Sequence, residues 1–358
     1  MTDTLEAPVS LEQFHTLEQD ALISLKSSAN HAFVTGAGGF LGKAICQRLL
    51  AAGLQVTGFA RGDYPELTAL GVTMVRGDIA DKTAVINAMK GCDLVFHVAS
   101  KAGVWGSKQS YFSPNVDGAA NIISACQQLN ISKLIYTSTP SVTFAGTDES
   151  GIDESAPYAA NYLNHYGESK AIAEQMVIKA NSHYLKTVSL RPHLIWGPED
   201  PHLVPRVIER AKAGRLKLVG KEDKLVDTIY VGNAAYAHIL AAVNLCNGGA
   251  SAAGKAYFLS NDEPITMAAM LNKILACADL PEVNKRVPAS LAYVVGVVLE
   301  SVYGVLGKTN EPMMTRFVAK QLSTSHYFDI SAAKTDFDYS PIISIDQGMV
   351  KLRQYLKS

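Results

Sequence analysis

Two side chains that can move a proton stand four residues apart in the stretch "NHYGESKAIAE": Tyr166 and Lys170. On a helix that spacing sends both from one face, within reach of a single ligand. A phenol of ordinary pKa, about 10, is a poor acid or base near neutrality, and an adjacent ammonium is expected to lower that value by favouring the phenolate. Further hydroxyls lie upstream, where "YTSTPSV" ends an apolar run with Thr137, Ser138 and Thr139. A Y-x-x-x-K pair recurs by chance, so its meaning depends on what else the chain supplies.

It supplies a glycine-rich turn. In "HAFVTGAGGFLGKAICQRLL", Gly36, Gly39 and Gly42 are spaced G-x-x-G-x-x-G between a strand-like run ending at Thr35 and a helix whose Leu41, Ile45 and Leu49 share one face. The first glycine permits a tight turn, the second lets backbone approach a pyrophosphate, and the third lets helix and strand pack closely. Free N–H groups and the helix dipole then favour the negative charge. At the end of the second strand an acid would accept from the adenosine 2′-hydroxyl, but "GFARG" places Arg61 there, which suits a 2′-phosphate. NADP(H) is therefore expected over NAD(H). Asp78, in "RGDIAD" after the third strand, is placed to touch the adenine or, beside Asp81, to cap a helix.

The elements that must hold these groups follow from period. Apolar, β-branched runs at 32–35, 55–59, 72–75, 94–98, 134–137 and 187–190 alternate with segments of helical spacing, the pattern of βαβ units in a doubly wound α/β fold with a parallel sheet. Catalytic residues gather at the strand ends of such a sheet. After Arg191 the prolines thicken and the alternation is lost. Residues 30–190 are thus expected to form the dinucleotide-binding domain and 191–358 mainly a smaller substrate-binding region, with 226–245 returning to the first. Residues 1–29 read as an N-terminal extension, either a docking helix with Leu11, Phe14, Leu17 and Leu25 on its apolar side or a frayed segment.

Composition narrows the classes. A net charge of −1 with interspersed signs argues against a nucleic-acid surface. The five cysteines, Cys46, Cys92, Cys126, Cys246 and Cys277, show no C-x-x-C pair or nearby histidine cluster, so no metal site or disulfide framework is expected, and a reducing cytoplasm fits. The segment "ASLAYVVGVVLESVYGVL", 289–306, is apolar but broken by Glu300 and two glycines, short of a membrane span of about 20 apolar residues. It is expected to wall a substrate channel, with peripheral membrane contact or buried core as the other readings.

Taken in order, "VTGAGGFLG", "RGDI", "YTSTPSV", "YGESK" and "LRPHLIWGP" resemble the extended short-chain dehydrogenase/reductase superfamily from about Ala32 onward. The late segment "MMTRFVAKQLSTSHYFDISAAKTDFDYSP" is similar to its 3β-hydroxysteroid dehydrogenase type. More narrowly, "FHVASKAGVWG", "STPSV" and "LRPHLIWGPEDPHLVPR" resemble bacterial ketoreductases of long-chain olefin biosynthesis. The resemblance implies a Rossmann fold. It also implies Tyr166 as general acid/base, Lys170 as its partner and holder of the nicotinamide ribose, and Thr139, in place of the superfamily's serine, as hydroxyl donor. Gly36, Gly39, Phe40, Leu41, Gly42, Arg61, Asp78, Ile79, Ala99 and Pro192 match cofactor-lining positions. The implied reaction is NADPH-dependent reduction of the 3-keto group of a long-chain 2-alkyl-3-oxoacid, in a homo-oligomer that assembles with other olefin-pathway enzymes. The alternatives are an NAD-preferring 3β-hydroxysteroid or sterol dehydrogenase, a sugar-nucleotide epimerase or dehydratase, and a dinucleotide-sensing scaffold without chemistry. For a substrate carboxylate, Lys101, His193 and Arg206 are available cations that the sequence does not distinguish.

Overall fold

The structure, a computed structural model, describes residues 9–358. Seven strands form one sheet: β1 (His31–Thr35), β2 (Gln55–Ala60), β3 (Thr73–Arg76), β4 (Leu94–His97), β5 (Lys133–Thr137), β6 (Lys186–Pro192) and β7 (Lys255–Leu259), in the order β7-β6-β5-β4-β1-β2-β3. Every pairing is parallel. Both faces of the inner strands are covered, which is why runs such as Leu94–His97 are buried throughout instead of alternating. Six of the strands are the runs expected from sequence. The seventh, β7, lies in the part of the chain assigned mainly to substrate binding, and it pairs with β6 from Lys255 opposite Val188 to Leu259 opposite Pro192.

The strand order reverses between β1 and β4, and in a doubly wound sheet the ligand crevice lies outside the carboxyl ends at that point. Register aligns those ends: Thr35 is opposite Phe59 and His97, His97 opposite Tyr136, and Thr137 opposite Leu190. Helices pack on both sides. They include α1 (Thr16–Lys26), α2 (Phe40–Ala51), α3 (Gly118–Leu129), α4 (His165–Ala180) and α5 (Val231–Cys246). Helix α5 lies against α2, β5 and β6, and twelve of its residues are buried.

The smaller structure over the strand ends is built from short strands. Ile265–Thr266, Leu225–Val226, His326–Phe328 and Glu149–Ile152 make a four-stranded sheet, so a segment that precedes α4 in sequence is held by one near the carboxyl end. Helix α6 (Ala289–Val305) buries only Ala292 and Gly296 and packs on Arg316–Gln321. Leu291, Val294, Val298, Val302 and Val305 are exposed, which rules out the buried-core reading of this segment. Among the described residues no helix is long and apolar enough to cross a membrane.

The N-terminal segment docks on its own chain. Helix α1 packs on α5 and α2 through Ala21, Leu22 and Leu25, while Leu17 points outward, half exposed. The expected apolar side was therefore misplaced at Leu17. Glu18 sits inside instead, its carboxylate accepting from Arg48 Nε at 2.7 Å, with Phe14 4.9 Å beneath the guanidinium. Residues 1–8 of the expected extension lie outside the described residues.

Candidate active site

The glycine turn forms as its spacing demands. Gly36 has φ +66°, and a Cβ there would also lie 2.9 Å from Ala99 Cα, which brings the turn against the residue after β4. A Cβ on Gly42 would sit 2.1 Å from the Gly36 carbonyl oxygen. Gly39 precedes α2 with no side chain to cap it, and the first turn carries no acid, so the N–H groups around Phe40 and Leu41 are left for an external anion. Thr35 fixes the opposite wall: its hydroxyl oxygen accepts from the Val98 and Ala99 N–H groups at 3.0 Å each. The same hydroxyl is hydrogen-bonded to His97 Nδ1 at 2.8 Å, and burial holds that imidazole neutral, its pKa pushed down to about 3. A backbone cradle without side chains, open at an uncapped helix start, fits a dinucleotide pyrophosphate.

Along the same edge lie the other expected contacts. Arg61, at the end of β2, is exposed and makes no ion pair among the described residues. Asp78 is exposed and accepts from the Ala80 N–H, whereas Asp81 is the residue that caps the next helix. Ile79 is buried against Gly118, with its carbonyl held by Asn121. Pro192 ends β6.

The hydroxyls after β5 part ways. Thr137 bonds to His238 Nε2 at 2.8 Å, and Ser138 Oγ is buried without a partner among the described residues. Thr139 caps the turn at Pro140–Val142, its hydroxyl accepting from the Ser141 N–H at 3.2 Å and donating to Ser141 Oγ at 3.3 Å. Lys170, 1% exposed, donates from Nζ to the Thr137 carbonyl at 2.6 Å and lies 4.1 Å from the centre of the Tyr136 ring. Burial pushes its pKa down to about 7 against the pull of Glu174.

The expected lowering of the Tyr166 pKa does not occur. Burial raises it above 10, and the group that opposes the rise is the Thr139 hydroxyl. The Lys170 ammonium instead donates to the Thr137 carbonyl at 2.6 Å. The phenol is thus held protonated, ready to donate.

Two supports escaped the sequence analysis. Asn115, 1% exposed in the wide turn Ser113–Asp117, accepts from Lys101 N–H at 2.7 Å and donates to the Lys101 carbonyl at 3.1 Å and Ser169 Oγ at 2.9 Å. It ties the loop after β4 to α4. Pro114, which lacks an N–H inside a helical stretch, was the available signal. Glu174, one turn beyond Lys170, takes two bonds from the Arg191 Nε at 3.2 and 3.0 Å and one from Nη2 at 2.6 Å, with Tyr158 adding a fourth at 2.8 Å. This pair locks α4 to β6 just before Pro192. Of the loose cations, His193 is buried against His326 and Phe328, Arg206 pairs with Glu311, and Lys101 Nζ donates to Ser110 Oγ.

Among the described residues no group of His, Cys, Asp and Glu is arranged to hold a metal ion. All five cysteines are free thiols, and burial raises Cys46 and Cys126 to about 12.

Comparisons with known proteins agree with this geometry. A 2-alkyl-3-oxoalkanoate reductase of Shewanella oneidensis is 67% identical over 346 residues, 95% of this chain and 89% of that protein. One of Stenotrophomonas maltophilia is 48% identical over 89% of this chain and 97% of its own. A sterol-4-alpha-carboxylate 3-dehydrogenase, decarboxylating, of Mus musculus is 33% identical over 92% and 91%. The same fold occurs in UDP-glucuronic acid 4-epimerase from Bacillus cereus in complex with NAD, at TM-score 0.70 and 20% identity over 91% of this chain and 98% of that one. The 3-beta hydroxysteroid dehydrogenase/isomerase family model matches residues 33–288. With a family match that spans the glycine turn and the Tyr166–Lys170 pair alike, the chain belongs to the 3-beta hydroxysteroid dehydrogenase/isomerase family and is an oxidoreductase of the extended short-chain type.

Proposed function

We propose that the protein is an NADPH-dependent ketoreductase that converts a long-chain 2-alkyl-3-oxoalkanoate to the 2-alkyl-3-hydroxyalkanoate in olefin biosynthesis. The observation that carries this reading is 67% identity over 95% of the chain to a reductase named for that substrate, with helix α4, which holds Tyr166 and Lys170, packed on the turn that Thr139 caps. The chemistry the dinucleotide supplies when bound is hydride donation to the ketone carbon. As negative charge grows on the ketone oxygen, Tyr166 gives it a proton and Thr139 donates a second hydrogen bond. Lys170 holds the nicotinamide ribose and, through the Thr137 carbonyl, the end of β5. Gly36, Gly39, Phe40, Leu41, Gly42 and Ala99 take the pyrophosphate, Arg61 the 2′-phosphate, Asp78 and Ile79 the adenine, and Pro192 lines the nicotinamide.

In this reading residues 30–190 bind the cofactor and 191–358 mainly the substrate, with 226–245 returning to the cofactor domain. The exposed apolar face of α6 suits alkyl chains and the surface of a membrane. The protein works in the cytoplasm as a homo-oligomer beside other enzymes of the pathway.

The test is NADPH oxidation with a freshly prepared long-chain 2-alkyl-3-oxoacid, set beside a 3-oxosteroid and a sugar nucleotide, with the 3-hydroxyacid and NADP+ as the reverse assay. The long-chain acid should be turned over fastest, and Tyr166→Phe should lower kcat by roughly 10²- to 10⁴-fold. Unchanged turnover in that variant, or faster reduction of the steroid, would sink the reading. Arg61→Ala should remove the preference for NADPH over NADH.

A further inference from the structure

The glycine stretch contains one glycine more than the dinucleotide turn needs. Gly36 is required by its left-handed backbone, and Gly39 and Gly42 by the nearby Gly36 carbonyl oxygen. Gly38 is different. Its φ is not positive, and what a Cβ would strike is the ring of Tyr64: Cζ at 2.1 Å, Cε1 at 2.2 Å and Cε2 at 2.3 Å. Three nearly equal distances mean that the hydroxyl half of the ring lies flat over Gly38. On the other side, a Cβ on Gly62 would lie 3.2 Å from Tyr64 Oη. The phenol therefore spans the turn after β1 and the end of β2, two strands paired in register.

Tyr64 Oη has no hydrogen-bond partner among the described residues, although the ring is half-buried against the core. The residue before Gly62 in the chain is Arg61, exposed and without a carboxylate partner among the described residues. Asp63, the nearest acid in the segment, is occupied by Arg76 at 3.4 Å. A phenol O–H and an unpaired guanidinium are thus both carried by the segment after β2, where a doubly wound fold lodges the adenosine 2′ position.

We propose that Tyr64 is a specificity-determining residue of this subsite: seated on Gly38, it donates its hydroxyl, together with Arg61, to a phosphate ester at the adenosine 2′ carbon. The proposal rests on the NADPH reading and adds to it a second donor and the reason for the fourth glycine. An O–H to a phosphate dianion is a charge-assisted bond, roughly twice as strong as a neutral one, and the ring's seat holds it in place without a flexible stem.

The experiment is calorimetric titration with 2′,5′-ADP and with 5′-AMP, which differ only at the 2′ phosphate, on the intact protein and on Tyr64→Phe and Gly38→Ala. The unmodified protein should bind 2′,5′-ADP more tightly. Tyr64→Phe should weaken 2′,5′-ADP by about tenfold and leave 5′-AMP unchanged. Gly38→Ala, whose added methyl must push the ring away while keeping the hydroxyl, should weaken 2′,5′-ADP by a similar factor. If the unmodified protein prefers 2′,5′-ADP and Tyr64→Phe keeps the full preference, the Tyr64 role is wrong and the NADPH reading stands. Tighter binding of both nucleotides by Gly38→Ala, whose methyl displaces the ring, would mean that the ring plugs the subsite, which also overturns the proposal. No 2′,5′-ADP preference in the unmodified protein would overturn both.

Discussion

Replacing Lys170 by methionine should make the protein more stable in mild acid and less stable in alkali. The lysine is 1% exposed, and burial takes its pKa from 10.5 to about 7. At about 1.4 kcal/mol per pH unit, that depression corresponds to about 5 kcal/mol of folded-state cost wherever the ammonium is protonated in both states, below about pH 7. Between about pH 7 and 10.5 the unfolded lysine carries a proton that the folded one lacks, so wild-type stability gains as pH rises and the cost disappears. Against this stands the bond from Nζ to the Thr137 carbonyl at 2.6 Å, whose loss leaves a buried acceptor unmet at about 1–3 kcal/mol. Lys170→Met should therefore gain about 2–4 kcal/mol at pH 6 and, with about 1 kcal/mol of the cost still present at pH 10, lose up to about 2 kcal/mol there, with a crossing in between. Urea unfolding of both proteins at pH 6, 7.5, 9 and 10 measures the difference, and other titrating groups cancel in it. Activity should fall at every pH. A stability difference that stays flat across this range would refute the claim that burial discharges this lysine.

Gly42→Ala should abolish dinucleotide binding, by at least about a hundredfold, and destabilise the fold by about 1–3 kcal/mol, since its methyl would meet the Gly36 carbonyl oxygen, which the turn holds in place; Gly248→Ala, which meets nothing within 4 Å, is the control for both titration and melting. Glu18→Ala should strand a buried guanidinium and cost about 3–5 kcal/mol, a Tm fall of roughly 4–7 °C, while Glu18→Gln with Arg48→Met should recover much of it; a fall of under about 1 kcal/mol by chemical denaturation would show that the pair does not hold α1.

Much of the cofactor half was legible because its signals are local. The glycine spacing, the apolar face of Leu41, Ile45 and Leu49, and strand runs buried on both sides each lie within one short stretch of chain. The i,i+4 pair of Tyr166 and Lys170 was legible for the same reason. What escaped depends on partners far apart in sequence. Strand β7 is only five residues long and directly follows the glycine- and alanine-rich stretch 247–254, and only its pairing with β6, 67 residues upstream, makes it part of the sheet. The direction of the Tyr166 shift is set by burial, which a sequence does not print, and the neighbour four residues on is directed elsewhere by the Thr137 carbonyl. Arg191 and Glu174 are 17 residues apart, and Tyr64 finds Gly38 across helix α2 and strand β2. Leu17 was misjudged because the buried stripe of α1 carries a charge, Glu18, whose partner is on another helix.

The docking of α1 has a practical consequence for anyone cutting this chain down. The family match spans residues 33–288, and a fragment trimmed to those limits would bare the oily seat left by Leu22 and Leu25. It would also orphan Arg48, whose helix begins at the phosphate cradle. Such a fragment should be sticky and bind nucleotide poorly, though every signature motif upstream of residue 288 would still be present. A minimal version that keeps its grip on the dinucleotide has to start ahead of Phe14.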